Sequence, residues 1–237
     1  MRPLKYRDKV ALIAPSSEVN EDNIKKSQKI VKKLGLVPVL GTMGKTDEEK
    51  AQDFMWAFTE DDIKGVFCIR GGYGSSRLIP FIDWNKITPK IFLGYSDITA
   101  LHLAISKFCG FPTFHGAMPG VDLVRKSQIS PLFKKIKRCN IIGGNLSIVT
   151  SSLGTPYEID TLDKILFLEE VNESIYKIER MITQLRHANK LHGDILLGHF
   201  FDENKKRIPT KTIANIIGKP CKFYPAGHAS PNKVIIL

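Results

Sequence analysis

Residues 90–108 read KIFLGYSDITALHLAISKF, and this stretch decides the fold. Its first part is a short apolar run ending at Gly94, which is typical of a strand buried on both faces. Its second part, residues 97–108, carries apolar side chains at helical spacing. The turn Gly94-Tyr-Ser-Asp-Ile98 therefore joins a buried strand directly to a helix, the unit from which parallel sheets are built.

The same alternation continues on both sides of this stretch. Before it, we predict strands at 9–14, 36–40 and 65–69 and helices at 21–34 and 47–58. After it, we predict helices at 145–153, 174–188 and 210–217 and strands at 164–168, 195–198 and 234–237. This βαβα rhythm predicts an α/β protein with a mostly parallel, doubly wound sheet.

A polar, basic and weakly periodic stretch interrupts the rhythm near its middle. It predicts two domains: an N-terminal one at 1–120 that carries the serine turn, and a C-terminal one at 142–237. Residues 121–141 are then the linker between them.

Composition excludes several classes of protein. The chain has 237 residues, 43% of them apolar and 25% charged, with a net charge of +11, as in a globular protein with a basic surface. No segment approaches the roughly 18 apolar residues that span a membrane, and the run Val10 to Pro15 is too short for a signal peptide. The basic clusters are scattered and lack interleaved aromatic residues, so we expect no nucleic-acid groove. We expect a cytoplasmic protein with no membrane contact.

The first chemistry-bearing loop is Arg70-Gly-Gly-Tyr-Gly-Ser-Ser-Arg77, which follows a predicted strand. Ligands of open α/β sheets bind at the carboxyl ends of strands, and glycines let backbone N–H groups point at an anion. The loop lacks the lysine of phosphate-binding loops and the full glycine spacing of dinucleotide-binding loops. It is therefore a candidate oxyanion loop, with a simple tight turn as the alternative.

The second loop is the turn that contains Ser96. It resembles the nucleophile elbow G-x-S-x-G, with Ile98 in place of the last glycine. Such a strained turn exposes the serine hydroxyl above a helix N-terminus. The alternative is that Ser96 only caps the helix that follows.

The third segment is Leu166-Phe-Leu-Glu-Glu-Val171, where two carboxylates end an apolar strand. A buried carboxylate needs a partner, and a histidine would satisfy it. His228 lies in a glycine-containing loop before the last apolar run, so the chain offers serine, acid and histidine in the order found in α/β-hydrolases. The alternative is a surface acid pair that caps the next helix.

An ordered set of segments along the whole chain resembles the LD-carboxypeptidases, also called muramoyltetrapeptide carboxypeptidases (serine peptidase family S66). The matching segments are 11–16, 70–78, 94–101, 114–118, 143–146, 154–156, 166–171, 179–185 and 227–228. The resemblance implies that Ser96 is the nucleophile, Glu169 rather than Glu170 the triad carboxylate, and His228 the general base.

The resemblance also implies a flavodoxin-like N-terminal domain and a smaller, swivelling β/α C-terminal domain. The implied enzyme is a homodimer without metal or cofactor that releases the terminal D-alanine of a murein tetrapeptide or UDP-linked muropeptide during cytoplasmic peptidoglycan recycling. The Asp97 N–H and one from Gly71 or Gly72 would hold the oxyanion, with Tyr73 beside them. Arg70 or Arg77 would pair with a substrate carboxylate.

Two alternatives stay open at this point. One is a related serine peptidase that cleaves a peptidyl-nucleotide, as microcin-immunity proteins do. The other is a truncated, inactive relative that binds murein fragments without turning them over. The second follows from the chain stopping at Leu237, soon after His228, where relatives continue, and from a linker shorter than theirs.

Overall fold

Two β-sheets flanked by helices make up the structure, a computed structural model that describes residues 1–135, 140–229 and 232–237. Residues 136–139, part of the predicted linker, lie outside the described residues. The remainder of that linker, up to Lys135, contains one short 3-10 helix at Ser130–Phe133.

The first sheet has six strands in the order β2-β1-β3-β4-β5-β10. Its strands are β1 Lys9–Ile13, β2 Val37–Leu40, β3 Ile63–Cys68, β4 Ile91–Gly94, β5 Phe114–His115 and β10 Ile235–Ile236. All pairs are parallel except β5 with β10. The order 2-1-3-4-5 is that of flavodoxin-like folds, so the predicted doubly wound sheet is confirmed.

Three helices cover this sheet: α1 Glu21–Lys33, α2 Asp47–Thr59 and α3 Thr99–Phe108. Asn20 and Thr46 form capping boxes that begin α1 and α2, which explains why both helices begin where the sequence predicts.

The second sheet is parallel throughout, in the order β6-β7-β8-β9. Its strands are β6 Ile141–Asn145, β7 Ile165–Val171, β8 Ile195–Phe201 and β9 Lys222–Phe223, and its helices are α4 Leu146–Ser151, α5 Ile175–His187 and α6 Thr210–Ile217. Apolar side chains from these strands and helices form a separate core cluster, which makes the second sheet a β/α unit of its own.

The last strand crosses back to the first sheet. β10 belongs by sequence to the 142–237 segment, yet Ile235 pairs with His115 and Ile236 with Phe114. Val234 packs in the same buried cluster as Phe114, so burial of this apolar run holds the strand there. The loop that carries His228 is thereby anchored to both sheets.

The two sheets meet at the start of α3. A Cβ on Gly144 would lie 2.5 Å from Thr99 Oγ1, and the Asn145 N–H donates to that hydroxyl at 3.0 Å. Only glycine at position 144, with φ of +140°, permits this approach. It brings strand ends of the second sheet to the serine turn of the first.

Candidate active site

Ser96 lies on a strained turn between β4 and α3. Its φ is +64°, a left-handed conformation that is uncommon for residues other than glycine. Residues Ser96–Ile98 form one 3-10 turn that leads into α3. A Cβ on Gly94 would lie 2.7 Å from Ile98 Cγ2, so the sharp entry into the helix requires glycine at that position.

The hydroxyl of Ser96 is not used to cap the helix. The N-cap residue of α3 is Ile98, and neither it nor Tyr95, which precedes the 3-10 turn, makes a side-chain cap. Ser96 is partly exposed. The helix-cap interpretation of Ser96 is therefore wrong, and the hydroxyl is presented at the carboxyl end of the sheet.

The buried carboxylate of Asp97 holds together the loops on which the site is built. Asp97 Oδ2 accepts hydrogen bonds from the Ser75 N–H at 2.8 Å and from the Ser16 hydroxyl. The Asp97 carbonyl accepts from Ser75 Oγ at 2.6 Å. One residue thus ties together the loops that follow β1, β3 and β4.

The glycine loop approaches the serine turn closely. A Cβ on Gly71 would lie 3.1 Å from Ser96 Cβ, and one on Gly72, whose φ is +124°, would lie 2.1 Å from Ser17 Oγ. Ser17 Oγ in turn accepts the Tyr73 N–H at 3.0 Å. Within the described chain, no protein acceptor takes the N–H of Gly71, Gly72 or Asp97. These donors are free for an oxyanion.

The two arginines of this loop have different surroundings. The Arg77 guanidinium pairs with Asp47 Oδ1 at 3.1 Å and stacks over the exposed Tyr73 ring at 5.0 Å. Arg70 donates only to the carbonyls of Gly71 and Glu18, and no carboxylate of the described residues pairs with it. Arg70 is therefore the cation available to an anionic ligand.

Glu169 and His228 form a hydrogen-bonded pair. His228 Nδ1 lies 2.7 Å from Glu169 Oε2, and the carboxylate is fully buried. A Cβ on Gly227 would lie 2.7 Å from the same oxygen, so the glycine before His228 makes room for the contact. Burial opposes protonation of His228, but the Glu169 charge and hydrogen bond outweigh it and raise the pKa of the imidazole above its ordinary value.

Glu170 points to the opposite side of β7 and has a different role. Its oxygens accept from Asn145 Nδ2, from the N–H and hydroxyl of Ser147, and from the Val171 N–H. Glu170 thus caps the start of α4. Burial and the neighbouring Glu169 raise the pKa of its carboxyl. Both acids are buried, so the expectation of a surface acid pair capping the next helix is wrong.

Tyr95 brings the serine turn and the His228 loop together. Its ring centroid lies 4.8 Å from that of His228, and its hydroxyl donates to Asp122 Oδ1 at 3.2 Å. A cleft of about 340 Å³ opens beside them, lined in part by Asp122, Gln128 and Asn232. Sequence reasoning did not find Tyr95 or Asp122, although Tyr95 stands next to the predicted nucleophile.

His115 is a further residue for which the sequence predicted no role. It lies on β5 and is fully buried, with its Nε2 3.8 Å from Glu169 Oε1. Burial holds the pKa of this histidine well below its ordinary value.

Neither a metal cluster nor a membrane-spanning helix occurs among the described residues. No group of three or more His, Cys, Asp or Glu side chains among them is arranged to hold a metal ion. No helix in the same part of the chain is long and apolar enough to cross a membrane.

Comparisons with known proteins agree with this architecture. Family models match residues 10–116, as an LD-carboxypeptidase N-terminal domain, and 138–237, as an LD-carboxypeptidase C-terminal domain. The chain is 36% identical to the probable murein peptide carboxypeptidase of Bacillus subtilis, with 98% of this chain and 87% of that protein aligned. It is 28% identical to the murein tetrapeptide carboxypeptidase of Pseudomonas aeruginosa, over 95% of this chain and 89% of that one.

A solved structure shows the same fold. The microcin C7 self-immunity protein MccF, in complex with aspartyl sulfamoyl adenosine, matches with a TM-score of 0.86 at 22% identity, covering 100% of this chain and 92% of that chain.

A doubly wound sheet, a second parallel sheet and a buried carboxylate–imidazole pair at their junction define a class of two-sheet α/β hydrolases. Within that class, the chain belongs to the LD-carboxypeptidase family and is a peptidase of that family. The family resemblance read from the sequence is confirmed.

Proposed function

We propose that this protein is a serine L,D-carboxypeptidase that releases the terminal D-alanine from a murein tetrapeptide, free or UDP-linked, in cytoplasmic peptidoglycan recycling. The observation that carries the proposal is the 2.7 Å contact between His228 Nδ1 and Glu169 Oε2. Ser96, held at φ of +64°, directly follows Tyr95, whose ring centroid lies 4.8 Å from that of His228. The names of the Bacillus and Pseudomonas relatives support the murein substrate.

The proposed mechanism begins with Ser96. Because Glu169 occupies Nδ1 of His228, the Nε2 of that imidazole is the atom left to take the serine proton. Ser96 Oγ attacks the carbonyl that precedes D-alanine, and His228 then donates the proton to the leaving amine. A water molecule, deprotonated by His228, then attacks the acyl-enzyme, and His228 returns the proton to Ser96 Oγ as the product acid leaves.

The oxyanion of each tetrahedral intermediate would accept hydrogen bonds from the Asp97 N–H and from Gly71 or Gly72. In other serine peptidases, each such donor lowers the activation barrier by about 3 kcal/mol. The hydrogen bonds around the Asp97 carboxylate keep these donors in place before substrate arrives.

A carboxypeptidase must also recognise a terminal carboxylate. Arg70 is the candidate, because its guanidinium lies beside the glycine loop and pairs with no described acid. A bidentate contact with the substrate carboxylate would fix the scissile bond over Ser96. Tyr73, 68% exposed, stands at the rim of the same loop as a further substrate contact.

The proposal is tested by D-alanine release from the tetrapeptide L-Ala-D-Glu-meso-diaminopimelate-D-Ala. We expect release by the wild-type protein and none by Ser96→Ala. A folded wild-type protein that releases no D-alanine from this peptide or its UDP-linked form would sink the proposal.

A second candidate function is cleavage of a peptidyl- or aminoacyl-nucleotide. The match to MccF, solved with aspartyl sulfamoyl adenosine, favours testing it. Parallel assays with an aminoacyl-nucleotide analogue and the tetrapeptide separate the two by their kcat/KM values. Binding of tetrapeptide without turnover would instead support a murein-fragment binder.

The proposal includes a homodimer, as the family resemblance implies. Sedimentation velocity at micromolar concentration tests it, with a species of twice the 26.6 kDa chain mass as the expected result. A fully active protein that sediments as a monomer would contradict the proposed homodimer.

A further inference from the structure

We propose that His115 is a positioning residue that holds the second oxygen of Glu169 and so makes the carboxylate a bridge between two imidazoles. The inference rests on the proposed function, because it assigns a part in the same reaction. It rests on the position of His115 beside Glu169 Oε1, the carboxylate oxygen that does not contact His228.

The backbone of His115 is fixed on both sides. It pairs with Gly94 of β4, two residues before Ser96, and with Ile235 of β10, the strand that follows the His228 loop. Its imidazole leaves the first sheet toward β7 and packs edge-on against Phe167, with ring centroids 5.2 Å apart. His115 therefore links the strand that precedes the Ser96 turn to the strand that carries Glu169.

Three polar atoms meet at this point without a partner. Nδ1 and Nε2 of His115 and Oε1 of Glu169 are all buried and make no hydrogen bond to any described residue. Buried polar atoms are nearly always paired, so three orphans in one place need an explanation. His102, also buried, shows the contrast: its ring nitrogens contact Thr113 Oγ1 at 2.8 Å and the Gly94 carbonyl at 3.0 Å.

The distance between the orphans fits an interaction. His115 Nε2 and Glu169 Oε1 are 3.8 Å apart, so a shift of about 1 Å brings them to hydrogen-bond distance. That contact gives Oε1 a donor when Nε2 carries the ring proton. Since His115 stays neutral, it orients the carboxylate without neutralising the charge that His228 requires.

Two variants separate positioning from mere packing. His115→Phe keeps the ring and removes the donor, whereas His115→Gln places an amide N–H where Nε2 lies. We expect His115→Phe to lower kcat about 10-fold with KM unchanged, the rate change that corresponds to losing one hydrogen bond to the carboxylate. We expect it to unfold at a lower urea concentration than wild type, because the buried Oε1 of Glu169 loses its donor. His115→Gln should recover most of kcat.

Outcomes in the opposite sense overturn the inference. They are a His115→Phe kcat within twofold of wild type, or equal losses of kcat and stability in both variants. Nitrogen-15 NMR of the wild-type protein gives a test without substitution: Nε2 of His115 should carry the proton, and the Nδ1–H tautomer would overturn the assignment. If wild-type protein releases no D-alanine, the proposed function fails, and the rate at which a fluorophosphonate labels Ser96 still measures the effect of His115.

Discussion

An alanine at position 72 would place its Cβ 2.1 Å from Ser17 Oγ and 2.7 Å from Ser17 Cβ. Ordinary contact begins near 3.4 Å, so the glycine loop and Ser17 would have to separate by about 0.7 Å to clear Ser17 Cβ, and by about 1.3 Å if the Ser17 hydroxyl keeps its position. The shift would carry the N–H groups of Gly71 and Gly72 away from Ser96. It would also strain the 3.0 Å hydrogen bond from the Tyr73 N–H to Ser17 Oγ.

The structure gives separate magnitudes for folding and catalysis. Alanine at φ of +124° costs about 1–3 kcal/mol of backbone strain, and the weakened hydrogen bond adds about 1 kcal/mol. A displacement of about 1 Å at an active site lowers the rate about 100-fold. Gly72→Ala should therefore remain folded and lose about 99% of kcat/KM for D-alanine release.

Two control variants make the result interpretable. Gly218→Ala introduces the same kind of strain, at φ of +83°, where no atom lies within 4 Å. It should lose about 1 kcal/mol of stability and no activity. Gly72→Ala combined with Ser17→Gly removes both clashing atoms and should recover part of kcat while the backbone strain remains.

The assay combines steady-state D-alanine release with urea unfolding of each variant. Activity of Gly72→Ala within threefold of wild type would refute the role of this loop in holding the oxyanion. An equal loss in Gly218→Ala would show that the effect is not local to the site.

Further predictions concern the two acids and the imidazole. Glu169→Gln should lower kcat by about 10⁴ at unchanged KM, because an amide facing Nδ1 of His228 selects the wrong tautomer; a loss below tenfold in the steady-state assay would contradict this. Since the pKa of His228 is raised above 6.5, kcat/KM should fall as the pH drops through that raised value. The same pair stabilises the fold fully below pH 6.5, and this contribution should fade as the pH rises through the folded-state pKa, which urea unfolding at several pH values would measure. Glu170→Ala leaves four donors around Asn145, Ser147 and Val171 unpaired and should cost about 2–5 kcal/mol of unfolding free energy, with kcat of the folded protein within a few-fold of wild type.

The long elements could be predicted from sequence because their apolar spacing is regular. The observed bounds of β1, α1 and α2 lie within one residue of the predicted ones. The two-residue strands β5 and β9 were missed, since such short strands exist through their pairing partners and carry no period of their own. The strand β6 Ile141–Asn145 was also missed, because Gly143 and Gly144 interrupt its apolar run. The helix predicted from residue 97 instead begins with a 3-10 turn, because Ser96 adopts a positive φ.

Residue types and order, together with the family resemblance, singled out Ser96, Glu169 and His228. The structure shows that Glu169 and His228 meet. Glu169 and Glu170 could not be assigned by spacing alone, and their roles diverge because successive side chains of a strand point to opposite faces. Arg70 and Arg77 look alike in sequence, and only the contact of Arg77 with Asp47 separates them.

His115 illustrates what spacing cannot reveal. Its neighbour Glu169 lies on the other sheet, and their proximity depends on how the two sheets pack. A lone histidine after Phe114 carries no local signal of that contact.

The central claim is that Ser96 is the nucleophile, activated by the His228–Glu169 pair. The most direct test is fluorophosphonate labelling followed by mass spectrometry of the digested protein. The account predicts one modified peptide that contains Ser96, formed at least 100-fold more slowly in His228→Ala. Modification at another side chain, or D-alanine release by protein that the reagent does not label, would contradict it.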